Sequence, residues 1–316
     1  MAPTPSGALH AGNAFSFLCA WLWTRALNGS VVLRIEDVDL ARARPDLVEA
    51  IFRDLEWLGL DWDEGPTGPG DLQSSFRQAS RDRQERYRSI WEDWKDRGLL
   101  YPCRCTRADL RTDAPQVDRI GDGIPAGPVY SGRCRDRSRE EAGESDAWRL
   151  RLPDVPSKFV DEWRGHQGIA RLDTLGDPVI RRGDGIFAYH LAVCADDADQ
   201  GVDLVVRGRD LLPFAHLHGY LHGLLGTPAP TFAHHPLLGD ARGDRLAKRA
   251  GSSSLSGMRE YGIDPASLVG RLAPLLFPDC RLDGNPVSPA ELLSLGAPRP
   301  GPDDTLSPDL PEGASA

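Results

Sequence analysis

The sequence predicts an α/β protein, a nucleotide-binding fold interrupted by a second, smaller domain. Three observations carry this. Apolar runs of helical period alternate with β-branched runs on both sides of a central region. A glycine-bearing loop, "SGALHAGN", opens directly into an apolar helix, an arrangement that suits a phosphate chain. Between residues 101 and 182 the helical period fades while glycine, proline and arginine rise. At 316 residues the chain can bury a core for about two domains. Its 40% apolar and 27% charged fractions are those of an ordinary globular protein.

The elements follow in order. "AFSFLCAWLWTRAL" reads as a buried helix stopped near Asn28-Gly29. "SVVLRIED" reads as a parallel strand ending in charge. Pro45 opens a helix over "DLVEAIFRDLEWLGL", and "SRDRQERYRSIWEDWKDRGLL" is a second amphipathic helix. The central region offers short strands, "AWRLRLP" and "KFVDEW". Beyond it "FAYHLAVCADDADQG" reads as a strand and turn, and "VDLVVRG" as a strand. "RDLLPFAHLHGYLHGLLG" is then a helix stopped at Gly226. The proline-rich last twenty or so residues bury little and read as disordered.

Charge and hydropathy exclude some functions. The net charge of −10 argues against a general nucleic-acid coat. Residues 101–182 carry 15 Lys and Arg against 14 Asp and Glu, so the acidity lies elsewhere. An insert of that kind could face a polyanion or simply be solvated. The apolar run over residues 14–27 contains Arg25 and falls short of the roughly 20 residues a membrane span needs. No membrane partner is expected.

Three constellations could carry chemistry. In the opening loop Gly7 and Gly12 permit close backbone approach, and His10 and Asn13 add side-chain donors at a helix N-terminus. A tight turn before a helix would read the same way. Downstream, Arg245, Lys248 and Arg249 lie between Gly243 and Gly251, a cationic loop suited to developing phosphate charge or merely a basic surface loop. Third, Cys103-x-Cys105, Tyr130 and Cys134 cluster within about thirty residues. No histidine lies between His10 and His166, so a fourth ligand there must be tyrosine, an acid or water. Such a set suits tetrahedral Zn²⁺ in a reducing compartment, against the alternative of three unrelated buried thiols. Cys19 and Cys194 read as core thiols, and the spacing of His216, His218 and His222 reads as partly exposed side chains.

Taken together, the first two constellations resemble the paired signatures of the class I aminoacyl-tRNA synthetases, "HIGH" at residues 3–13 and "KMSKS" at residues 245–249. "LRIEDVDLARARPDLVEAIFRDLEWLGLDWDEGP" and "FAYHLAVCADDADQGVDLVVRGRDLL" resemble the glutamyl branch, so the likeness covers residues 2–255. The C-x-C…Y-x-x-x-C set resembles the zinc site of the glutamyl-queuosine tRNA(Asp) synthetases, short paralogues within that branch. The resemblance implies a Rossmann-type catalytic domain with an inserted zinc-bearing α+β subdomain. Its parts would be residues 1–100 and 183–255 for the catalytic halves and 101–182 for the insert. A short helical extension over 256–295 and a tail over 296–316 would complete it.

The implied reaction is ATP-dependent activation of L-glutamate, then transfer to queuosine in the anticodon loop of tRNA(Asp), by a cytoplasmic monomer. Catalysis would rest on His10, Asn13 and Lys248. ATP would be held by Pro3, Gly7, His10, Gly12, Asn13, Arg245 and Lys248, with Mg²⁺. Glutamate would be held by Ala2, Pro3, Thr4, Glu36, Tyr189 and Arg207, a carboxylate for the ammonium and an arginine for the dicarboxylate. Structural Zn²⁺ would sit on Cys103, Cys105, Tyr130 and Cys134.

The sequence also departs from the pattern. The family's strand and glutamate-binding arginine ahead of Ala2 fall before Met1, so an upstream start is expected. His190 stands where the branch commonly has glutamine, and "RLAKR" replaces "KLSKR". Two other readings remain: a truncated enzyme charging a tRNA 3′ end, or a retired synthetase that only binds.

Overall fold

A computed structural model of the chain describes residues 1–71, 73–113, 129–239, 254–301 and 305–306. The chain starts against its own centre. Residues 1–3 run beside residues 32–36, where the Arg34 N–H donates to Met1 O at 2.9 Å and the Glu36 N–H to Pro3 O at 2.9 Å. The first residues thus give one edge of residues 32–36 its backbone partners. Helix α1 (Ala11–Ala26) follows and buries Phe15, Leu18, Cys19 and Leu22. It ends before Asn28, which takes a left-handed φ of 56°.

The segment "VVLRIED" is extended and buried at Val31, Leu33 and Ile35, yet it is no regular strand. Its second edge meets Glu64 and then residues 76–78, through Leu33 N–H to Glu64 O at 2.8 Å and Ile35 N–H to Phe76 O at 2.9 Å. Partners drawn from separate stretches give isolated bridges instead of a ladder. Helix α2 (Pro45–Leu58) buries Val48, Ile51, Leu55 and Leu58, the 3.6-residue stripe that its sequence spells. Gly59 closes it at φ 73°, a conformation that disfavours a Cβ. Helix α3 (Arg81–Asp96) turns Tyr87, Ile90 and Trp94 inward.

In the central region β1 (Leu100–Cys103) pairs antiparallel with β2 (Ala147–Leu150), which pairs with β5 (Val179–Arg181). The short helix α4 (Arg107–Asp113) follows β1. The hairpin of β3 (Ser157–Asp161) and β4 (Gly165–Ile169) joins a different sheet. There β3 runs parallel to β7 (Thr231–His235), and β7 runs parallel to β6 (Leu204–Gly208), giving the order β4-β3-β7-β6.

"FAYHLAVCADDADQG" forms helix α5 (Tyr189–Asp199), not a strand and turn. Residues 191–197 are all buried, so the helix shows no polar face and its apolar run imitates a buried strand. Helix α6 (Leu212–Leu225) follows β6 and stops, as predicted, at Gly226 with φ 74°. Its His216, His218 and His222 were expected to be partly exposed, but all three are buried between α6 and its neighbours. The remaining elements are β8 (Leu237–Leu238), α7 (Leu255–Glu260), α8 (Pro265–Leu276), α9 (Pro289–Leu292) and β9 (Thr305–Leu306), which pairs with β8.

The predicted disordered tail is therefore partly ordered. Pro298 O accepts from the Trp163 indole at 3.2 Å, and the Arg299 N–H donates to Leu276 O at 2.9 Å. The main core joins α1, α2, α7 and α8, a second joins α3, α5 and α6, and a small third surrounds the clustered cysteines. Among the described residues no helix is long and apolar enough to cross a membrane.

Candidate active site and metal centre

A cleft of about 1200 Å³ opens at the start of α1. Its wall includes Ala2, Pro3, Thr4, Glu36, Tyr189 and Arg207, the whole set predicted for the amino acid. Of the set predicted for ATP, Pro3, Gly7, His10 and Asn13 line it too, while Gly12 does not. Arg245, Lys248 and Arg249 fall outside the described residues. The chain just after them returns to the cleft: the Leu255 N–H donates to Leu9 O at 2.8 Å, and Ser254 bridges His10.

His10 and Asn13 are first of all helix caps. The Gly12 N–H donates to His10 Nδ1 at 3.1 Å, and the His10 N–H donates to Asn13 Oδ1 at 3.0 Å. His10 therefore carries its proton on Nε2, and the acceptor half of the Asn13 amide is used within the turn. Gly12 is required by this contact. A Cβ there would lie 2.9 Å from His10 Cε1 and 3.0 Å from Nδ1.

Glu36 is buried, with Arg34 at 3.5 Å and the Thr4 hydroxyl donating to it at 3.5 Å. Burial pushes its carboxyl up to about 7; Asp197 and Asp196 act in the same direction, and Arg34 opposes them. Sequence reasoning missed Arg34, which binds Asp197 at 2.8 Å and Asp196 at 3.5 Å. The only signal was an arginine inside an apolar run. Burial, then the Glu36 charge, pushes the Tyr189 phenol well above its usual range.

Arg207, from β6, is held by three groups. It donates from Nε to His234 Nε2 at 2.9 Å, from one terminal nitrogen to His218 Nδ1 at 2.9 Å, and from the other to Leu211 O at 3.2 Å. Among the described residues no carboxylate pairs with it. Its histidine partners were also missed, because α6 and β7 meet β6 only through the tertiary fold.

Some distance along the chain, the Sγ atoms of Cys103, Cys105 and Cys134 lie within 4.8 Å of one another. The Tyr130 hydroxyl stands 3.5 Å from Cys103 Sγ and 3.8 Å from Cys105 Sγ, and accepts from the Cys134 N–H at 2.7 Å. A tetrahedral zinc with bonds of about 2.3 Å sets its ligands about 3.8 Å apart, so these residues fit one metal ion. Burial pushes the Cys105 thiol up to about 12. Burial opposes ionisation of Cys134 as well, but the Arg104 N–H and the Tyr130 hydroxyl hold that thiol below its ordinary value. Arg149, not anticipated, donates to Cys103 Sγ at 3.3 Å with its guanidinium 3.8 Å from the Tyr130 ring centre.

Comparison with known proteins identifies the family. A family model described as tRNA synthetases class I (E and Q), catalytic domain, matches residues 1–278. The Glutamyl-Q tRNA(Asp) synthetase of Symbiobacterium thermophilum is 44% identical over 278 residues, covering 86% of this chain and 84% of that protein. The protein of the same name from Deinococcus radiodurans is 41% identical and covers 95% and 97%. The crystal structure of a glutamate-tRNA synthetase from Elizabethkingia anophelis superposes with a TM-score of 0.76 at 28% identity. That match covers 99% of this chain and 68% of the other.

Proposed function

The chain belongs to the class I tRNA synthetases of the glutamate and glutamine branch, and on that premise we propose that it activates L-glutamate with ATP and transfers it to queuosine in tRNA(Asp). One observation carries the amino-acid half: a single cleft holds a buried carboxylate, Glu36, and an arginine, Arg207, that no described carboxylate neutralises. An α-amino group asks for the first and a side-chain carboxylate for the second. The queuosine half rests on relatives of matching length that carry that name.

In the first step the α-carboxylate of glutamate attacks the α-phosphate of ATP, and pyrophosphate leaves. No protein nucleophile is needed, because positioning and electrostatics suffice. The start of α1 offers backbone N–H groups and a positive dipole end, and His10 would address the phosphates through Nε2. Lys248 and Arg245 would meet the leaving pyrophosphate together with Mg²⁺. A queuosine hydroxyl then attacks the activated carbonyl and releases AMP. Cys103, Cys105, Tyr130 and Cys134 would hold a structural Zn²⁺ that cross-links β1 to the segment after residue 129.

The test is transfer of labelled glutamate, with ATP, to tRNA(Asp) carrying queuosine and to the same tRNA carrying guanosine. Label is expected only on the first, in the anticodon-loop fragment after nuclease digestion. Label at the 3′ end of a glutamate tRNA would replace this reading with tRNA charging. Absence of both label and glutamate-dependent ATP–pyrophosphate exchange would leave a binding protein.

A further inference from the structure

Behind Arg207 lies a line of buried groups, with a half-buried His190 at its end, drawn from five elements. Arg207 itself is on β6. His234 is on β7, and its Nδ1 is 2.5 Å from Oδ2 of Asp161 on β3. His218 is on α6, and its Nε2 is 3.0 Å from Nδ1 of His190 on α5. Exposure is 0% for His234, 1% for Asp161 and 2% for His218, so water does not complete these bonds.

The proton positions follow from chemistry. A guanidinium has five N–H donors and no acceptor. Both imidazole nitrogens that face Arg207 must therefore be lone pairs. His234 then carries its proton on Nδ1 and donates to Asp161, and His218 carries its proton on Nε2 and donates to His190. Burial holds His234 down to about 4. Burial, then the Arg207 charge, holds His190 to about 4 and His218 well below its usual range. Asp161 is ionised: burial raises its carboxyl, but the His234 imidazole and backbone N–H groups outweigh that and lower it.

Two consequences follow. Three of the five Arg207 donors are fixed, which leaves one N–H on each terminal nitrogen, a fork of the kind that grips a carboxylate with two bonds. In addition, every imidazole acceptor in the line is already occupied. A substrate side chain reaching Arg207 meets its two remaining N–H donors, and no imidazole lone pair is open to it. A carboxylate satisfies them, whereas the NH₂ half of a carboxamide would be buried against N–H groups.

We propose that His218 and His190 are positioning residues for amino-acid selection. With His234 and Asp161 they lock the Arg207 fork and leave no imidazole lone pair open beside it, so that the cleft takes glutamate and rejects glutamine. This rests on the reading of the cleft as a glutamate site.

The experiment is steady-state ATP–pyrophosphate exchange on the full chain, with glutamate, glutamine and ATP each varied, for the wild type, His218→Leu, His218→Asn and His190→Leu. Asn Oδ1 replaces the lost Nδ1 acceptor; Leu replaces nothing. His218→Leu is expected to raise KM for glutamate about tenfold, with kcat and KM for ATP within about twofold, and to narrow the preference over glutamine. His218→Asn should restore KM to within about threefold of the wild type. His190→Leu, one bond further out, should raise it about threefold and serves as the test if His218→Leu does not fold.

An unchanged KM for glutamate, or equal rises for glutamate and ATP, overturns the proposal. So does an Asn variant no better than Leu. Failure of the wild type itself to exchange with glutamate would instead overturn the glutamate reading beneath it.

Discussion

Glu36 shows what one buried carboxyl implies. Its value is raised from 4.5 to about 7, chiefly by burial. An ammonium binds the ionised form, so kcat/KM for glutamate should climb as pH rises through about 7 and then level off. Glu36→Gln should flatten that profile and lower kcat/KM about a hundredfold at pH 8. Stability runs the other way. Between pH 4.5 and about 7 the folded chain holds a proton that the unfolded chain has lost, so this group costs stability as pH rises through that window. Melting curves should show Glu36→Gln more stable than wild type at pH 8 and equal to it near pH 4.5. At this scale the sequence was informative where chemistry is local. Glu36, Tyr189 and Arg207 were found through the motif resemblance, and all three line the cleft. Arg34, Asp161 and His234 were not found, because each depends on a partner far away in the chain: Asp196 and Asp197 for Arg34, and each other for Asp161 and His234.

Elements were legible in proportion to their polarity pattern. Helices α2 and α3 have one wet face, and their sequences spell it. Helix α5 is buried over residues 191–197, so its period is invisible and it passed for a strand. The extended segment at residues 31–36 failed in the opposite way, since its residues are strand-like but its partners are scattered. The cysteine segment was read from spacing, and the fold brings its sulfurs together. Purified protein is expected to bind one Zn²⁺ per chain, and cobalt substitution should give the absorption of a tetrahedral thiolate site. Cys134→Ser should weaken that binding and loosen amide protection around β1 while leaving α1 and α2 protected. Equal protection with and without metal would argue that the cage does not need it.

Across the whole molecule, long-range ion pairs tie together parts that the chain order separates. Asp54 on α2 is 1% exposed and accepts from Arg259 on α7 at 2.8 Å. This joins the first helices to the segment that follows residues 240–253. Burial raises the Asp54 carboxyl to about 6, against the pull of Arg259. Arg259→Ala should therefore cost about 1–3 kcal/mol at pH 8, where the orphaned carboxylate must ionise, and less at pH 5, where it is protonated. Chemical denaturation at the two pH values measures this.

By itself, the sequence determined the family, the order of most helices, the cysteine cage and the residues around one cleft, because periodicity, caps and short motifs are local properties. Only the tertiary structure decided that β3 joins the second sheet, that α5 is a helix, and that His218 and His234, backed by His190 and Asp161, frame Arg207. Those outcomes depend on which surfaces meet and exclude water, and pairing between distant segments leaves no periodic trace in the chain.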